Sequence, residues 1–102
     1  MKRTLIRYEA KPERADENEQ LIRRVFEELH ASHPEGVHYM ALRLADGTFV
    51  HFVTYDQEDA RGALTQLEAF RAFQKGIGDR TVDPPRPSEA AVIGNYRMLS
   101  EQ

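Results

Sequence analysis

A chain of 102 residues has room for one domain with a modest core, and its 40% hydrophobic, 30% charged composition is that of an ordinary folded protein, not a disordered or fibrous one. A net charge of −3 with mixed signs gives no electrostatic footprint for nucleic acid or an anionic membrane. The absence of cysteine excludes disulfides, thiolate catalysis, iron–sulfur clusters and cysteine-ligated zinc.

Residues Arg3 to Ala10 alternate in character, with Leu5, Arg7 and Glu9 opposite Thr4, Ile6 and Tyr8, and read as a first strand. Pro12 then changes the period, because proline is tolerated in a first helical turn. Glu13, Asp16, Glu17 and Glu19 suit the positive end of a helix dipole, and Leu21, Ile22, Val25, Phe26 and Leu29 form one apolar stripe. The spacing predicts a helix from Pro12 to Ala31, stopping before His33-Pro34-Glu35-Gly36.

Two apolar-alternating runs between Gly36 and Tyr55 meet at Asp46-Gly47, a strong hairpin signal. A two-residue turn there pairs Leu44 with Phe49, Leu42 with His51, Met40 with Val53 and His38 with Tyr55, so these eight share one face. The other face carries Val37, Tyr39, Ala41, Arg43, Val50, Phe52 and Thr54. Both faces hold large apolar residues, whereas a hairpin with one solvated face is polar on that side. Two helices cover only one face, so the second asks for another subunit and a homodimer is expected.

Asp56 to Gly62 is a connection, after which Leu64, Leu67, Phe70, Phe73 and Ile77 recur at helical spacing up to Lys75-Gly76-Ile77-Gly78. Those glycines follow a helix and are read as its termination rather than a phosphate loop. Val82 to Pro87, with three prolines in four residues, must be extended, and Ala91 to Leu99 is the predicted last strand. The order β-α-β-β-α-β predicts an α+β ferredoxin-like sandwich, an antiparallel sheet with two helices on one face, as a single domain over 1–102. No run reaches the ~20 apolar residues of a membrane span, and no signal-type apolar region follows Met1-Lys2-Arg3-Thr4, so a cytoplasmic location is expected.

The strand ending in Lys11-Pro12-Glu13-Arg14-Ala15-Asp16-Glu17, the long first helix and the Asp-Gly hairpin resemble those of the antibiotic biosynthesis monooxygenase-like proteins. So do the segment Leu67-Glu68-Ala69-Phe70-Arg71-Ala72-Phe73-Gln74 and the closing strand after a Pro-rich approach. The resemblance covers nearly the whole chain and implies a dimeric α/β barrel with a cavity between sheet and helices in each subunit. Its characterised members include cofactor-independent oxygenases of aromatic polyketides, haem-degrading enzymes and small isomerases. The chain has no tryptophan, which weakens the haem-degrading reading, and no catalytic set transfers residue by residue.

Among candidate residues, His51 sits mid-strand on the face assigned to the helices, where an imidazole can take a phenolic proton; it can equally be a satisfied core histidine. Tyr55 and Asn95 are orienting candidates, although Gly94-Asn95 also suits a bulge. His38, Met40, Leu42 and Phe70 are the candidate ligand-lining residues, with Phe70 also at core spacing. Tyr39 and Arg43 fall on the face assigned to the dimer. His38 and His51 stand ~13 Å apart along the strand, too far to share one metal ion. His30 and His33 lack a third ligand, so neither a metal nor a cofactor is expected. The reading is a cofactor-independent monooxygenase acting on an aromatic or quinone-like small molecule, with His51 as base; the alternative is a non-enzymatic dimeric ligand-binding or structural module.

Overall fold

The computed structural model describes residues 2–98. Strand β1 (Lys2–Ala10) runs into a single 3-10 turn at Pro12–Arg14 and then helix α1 (Ala15–Ser32). His33, at φ 48°, ends the helix in the left-handed conformation and returns its N–H to the Leu29 carbonyl. Strands β2 (Val37–Arg43) and β3 (Thr48–Tyr55) form the hairpin, and β4 (Thr81–Glu89) completes a four-stranded antiparallel sheet in the order β2-β3-β1-β4. This is the expected ferredoxin-like arrangement. One sheet face packs on the helices around Tyr8, Ile22, Val25, Phe49, Val53, Leu64, Phe70 and Phe73. Each large apolar side chain buried there contributes roughly 1.5–3 kcal/mol.

The hairpin register differs by one residue from the expectation. Arg43 pairs with Phe49, Ala41 with His51 and Tyr39 with Val53. The loop is three residues long, because Gly47 at φ 90° is left-handed while Asp46 is not, and a type I′ turn needs both. Gly47 N–H donates to the Leu44 carbonyl (3.1 Å), Leu44 N–H to that of Thr48 (2.8 Å), and the Asp46 carboxylate accepts from Thr48 N–H (3.0 Å). This is a type I turn closed by a glycine bulge. With a side-chain period of two, a one-residue slip turns every β2 side chain over. Val37, Tyr39, Ala41 and Arg43 therefore join His51 on the helix face, while His38, Met40 and Leu42 stand on the outer face.

The second helical region is three short pieces, α2 (Arg61–Thr65), α3 (Glu68–Gln74) and α4 (Ile77–Arg80), rather than one helix. Leu67 is extended between the first two, and the Glu28 carboxylate of α1 accepts from Ala69 N–H (2.8 Å) at the start of α3. Gly76, at φ 78°, both ends α3's run and opens the single turn of α4, so these glycines are not simply a terminus.

The last strand is the Pro-rich segment itself, not 91–99. Within it, Glu9 pairs with Asp83 and Arg7 with Arg86, which leaves Pro84 and Pro85 opposite Tyr8 alone. A bulge on an edge strand is where prolines without N–H donors are tolerated. Residues 91–98 run on outside any strand, with Val92, Ile93, Tyr96 and Met98 exposed; Leu99 lies outside the described residues.

Candidate functional site

Between α1, from Glu19 to its C-terminal end, and the edge strand β2 lies an open groove of about 1060 Å³. Ile22, Phe26 and Leu29 form its helix wall, and Tyr39, Ala41 and Phe49 its sheet wall. Arg43 fastens the two walls, donating to Asp16 (3.0 Å) and Glu19 (2.7 Å) from the end of β2. Tyr39 stacks obliquely on Phe26 with ring centroids 4.9 Å apart, which fixes the ring in the groove wall.

Behind this wall runs a buried polar chain. Tyr39 Oη lies 2.5 Å from His51 Nδ1, and His51 Nε2 lies 2.9 Å from Tyr8 Oη. Tyr8 Oη accepts from Asn18 Nδ2–H (2.8 Å), and Asn18 Oδ1 accepts from Arg80 Nε–H (3.0 Å). Arg80 also donates to the Lys75 carbonyl (3.0 Å) and the Phe73 carbonyl (2.5 Å). The chain thus links β2, β3, β1, α1 and α4 through side chains of which Tyr8, Asn18, His51 and Arg80 are at most 2% exposed.

The apolar surroundings set the charge states. Burial pulls the His51 imidazole down to about 4, so it is neutral at pH 7. Burial pushes the Tyr8 phenol up to about 12, against the opposing pull of the Asn18 hydrogen bond and the Arg80 charge. Burial, with Tyr8 and Tyr55 nearby, raises Tyr39 further still. Burial also lowers Arg80, which nonetheless stays cationic because a guanidinium does not deprotonate in proteins. Both phenols and the imidazole are therefore neutral groups able to pass or share protons, next to one buried cation. Tyr39 is the member of the chain that also lines the groove.

The candidates from the sequence fall out as follows. His51 is on the helix face but walled off from the groove by Tyr39. Tyr55 shares that face, partly buried, four residues further along β3, and takes no part in the chain. Asn95 stands in the exposed segment after β4, where its Oδ1 accepts from Met98 N–H (3.1 Å). His38 pairs with Asp56 at 3.0 Å on the outer face, away from His51. Met40 and Leu42 border the groove from the edge strand although their register sets them on the outer face. Phe70 is buried beside Phe73, ring centroids 6.2 Å apart, in the core. Tyr39 and Arg43, assigned to the dimer face by the shorter turn, belong to the groove instead.

Tyr8, Asn18 and Arg80 were not among the candidates. Asn18 had a signal: with Ala15, Ile22, Val25 and Leu29 it continues the apolar stripe of α1 toward its N-terminus. A polar residue at a core position needs a buried partner. Arg80, brought in from 62 residues away by a one-turn helix, had none.

No family model matches the chain, and no curated protein matches it. Solved structures do. A Nitrosomonas europaea protein is 14% identical over 90% of this chain and 89% of its own, with a TM-score of 0.74. A Caulobacter crescentus protein is 17% identical over 91% and 90%, also with a TM-score of 0.74. Both are named as candidate antibiotic biosynthesis monooxygenases. A Mycobacterium tuberculosis protein of the same TM-score, 0.74, is 16% identical over 92% of this chain and 96% of its own. The fold of this chain is the one these structures share.

Proposed function

We propose that this chain, built on that shared fold, is a homodimeric cytoplasmic enzyme, a cofactor-independent monooxygenase of an aromatic or quinone-like small molecule bound in the groove between α1 and β2. The single observation behind this reading is that a buried polar chain surfaces at Tyr39, in a groove whose aromatic and aliphatic walls also carry Glu19, Arg23, Glu27, His30, His33 and Arg43. A flat ring slides between Phe26, Phe49 and the aliphatic residues of α1, and its ring oxygen meets the Tyr39 hydroxyl. Tyr39 is the catalytic residue, and His51, which does not reach the groove, acts through it.

The chemistry asks little more of the protein. With its carbonyl oxygen held by Tyr39, a substrate of the anthrone type loses a ring-methylene proton to water as the enolate forms. The carbanion gives one electron to dioxygen, and the radical pair joins as a carbon-bound hydroperoxide after taking up a proton. Loss of water leaves a new carbonyl, so one oxygen atom enters the product and the other leaves as water.

Oxygen uptake over a panel of anthrones, hydroquinones and flavonols, without added cofactor, tests the reading. Tyr39→Phe should lower the rate on the order of 100-fold, the usual cost of one donor to a developing oxyanion, while the fold persists. Ligands that bind the groove without any uptake above the uncatalysed rate would favour the non-enzymatic binding module instead.

A further inference from the structure

The buried chain ends, away from the groove, on a side chain that can only donate. Arg80 is 2% exposed and its guanidinium is bonded to three neutral oxygens, those of Asn18, Lys75 and Phe73, with no carboxylate among the described residues in hydrogen-bond contact. An arginine has five N–H groups and no acceptor. Asn18 must therefore turn its Oδ1 to Arg80 and its Nδ2 to Tyr8, which is the observed arrangement. With one lone pair of Tyr8 Oη taken by Asn18, two proton orders remain for the imidazole. If His51 carried its proton on Nε2, the Tyr8 hydroxyl proton would be left in the core without an acceptor. If Tyr8 donates to Nε2, the imidazole proton is on Nδ1 and goes to Tyr39 Oη, whose own proton is then free to leave the chain on the groove side. Tyr39 is partly exposed there, so water or a ligand takes it.

Resting on the groove reading above, we infer that Arg80 fixes the proton order of the whole chain, so that the groove offers its ligand a hydrogen-bond donor, and that the ligand binds through an anionic or carbonyl oxygen, as an enolate, phenolate or quinone. Aligned hydrogen bonds polarise one another, and here all four point outward from a cation. Arg80 and Asn18 are positioning residues: neither touches the groove, yet the kind of oxygen accepted there depends on them. A phenol offered as a donor meets only the second lone pair of Tyr39 Oη, the first already accepting from His51, whereas a phenolate or carbonyl oxygen takes the Tyr39 proton itself.

Asn18→Asp is the decisive variant, because it keeps the shape and reverses the order. A carboxylate cannot donate to Tyr8, so Tyr8 donates to it, His51 gives Nε2–H to Tyr8, and Nδ1 accepts from Tyr39. The new charge is neutralised by Arg80. Nitrogen-15 NMR of the His51 ring reads the tautomer without any ligand: Nδ1–H is expected in the wild type and Nε2–H in Asn18→Asp. Binding of 4-nitrophenol, whose absorbance separates phenolate from phenol, gives the second readout. The wild type should take the phenolate over the phenol by on the order of tenfold, as a donor aimed at a charged oxygen favours that form, and Asn18→Asp should lose the preference. Nε2–H in the wild type overturns the proton order outright, with no variant needed, and so does an unchanged tautomer in a folded Asn18→Asp. Bound probe with equal affinity for both forms overturns the ligand class alone. A probe that binds neither protein, with the tautomers as stated, overturns the groove as the ligand site while the proton order stands.

Discussion

His51 is neutral because burial strips away the hydration an imidazolium needs, and that has a cost that pH exposes. In the unfolded chain a histidine ionises near 6.5, whereas in the fold the same ring ionises at about 4. Between those values the unfolded state binds more protons, so stability is full above pH 6.5 and is lost as pH falls toward 4. The shift corresponds to roughly 3 kcal/mol. Urea unfolding of the wild type and of His51→Gln, followed from pH 7 to pH 4.5, should give curves that converge as pH falls, since the variant lacks this contribution. Parallel curves would mean the ring is not held neutral. The sequence made His51 legible as a histidine amid apolar strand residues. It could not show that Tyr39 stands between the ring and the groove, since that depends on one residue of loop length at Gly47, roughly 26 Å of strand away from Tyr39 itself. Tyr8 was legible in part: a tyrosine alternating with Ile6 on a buried face must find a partner for its hydroxyl.

At the scale of elements, the groove keeps its width because α1 is tied at two places. Near its N-terminus Arg43 reaches it from β2, and further along Glu28 caps the start of α3 through Ala69 N–H (2.8 Å). α3 has no side-chain cap of its own, since its N-cap position is Leu67, so the carboxylate from a neighbouring helix does the work a serine or aspartate does elsewhere. Glu28→Ala should cost about 1 kcal/mol in a urea titration, and Glu28→Gln, which keeps an acceptor oxygen, distinctly less. Equal losses in both would remove the cap as the cause. The hairpin shows where sequence reading stopped. Asp46-Gly47 marks the turn correctly, but the dipeptide suits either a two-residue loop or the last two positions of a three-residue one. The choice depends on whether Asp46 takes positive φ, a backbone property with no side-chain signature. The Pro-rich stretch failed for a related reason: proline argues against a central strand, and only the topology reveals that β4 is an edge strand with a bulge where two of its prolines sit.

Across the whole molecule, large apolar side chains are exposed on β2 and along the segment after β4. Met40 and Leu42 on the outer face of the sheet are 41% and 50% exposed, and Val92, Ile93, Tyr96 and Met98 follow one another along the segment after β4. That segment carries a strand-like pattern, yet the position beside β1 is already filled by residues 81–89. Several large apolar side chains left exposed at both ends of the sheet order call for a partner to cover them. The proposed homodimer gives both features a partner, with the outer face of one sheet against that of a second copy. The buried chain lies on the opposite face, so assembly and proton order should separate, although Met40 and Leu42 also border the groove. Sedimentation of Met40→Lys/Leu42→Lys should show the dimer weakened by at least on the order of 100-fold, as when central interface side chains are lost. The monomer that results should keep its unfolding midpoint within a few degrees and keep the Nδ1–H tautomer of His51, because every residue of the buried chain comes from within one subunit. A variant that stays dimeric would move the interface off the sheet. One that becomes monomeric and loses the tautomer would instead make the chain's order a property of the assembly, with the partner's sheet pressing β2 and β3 into the spacing that His51 needs.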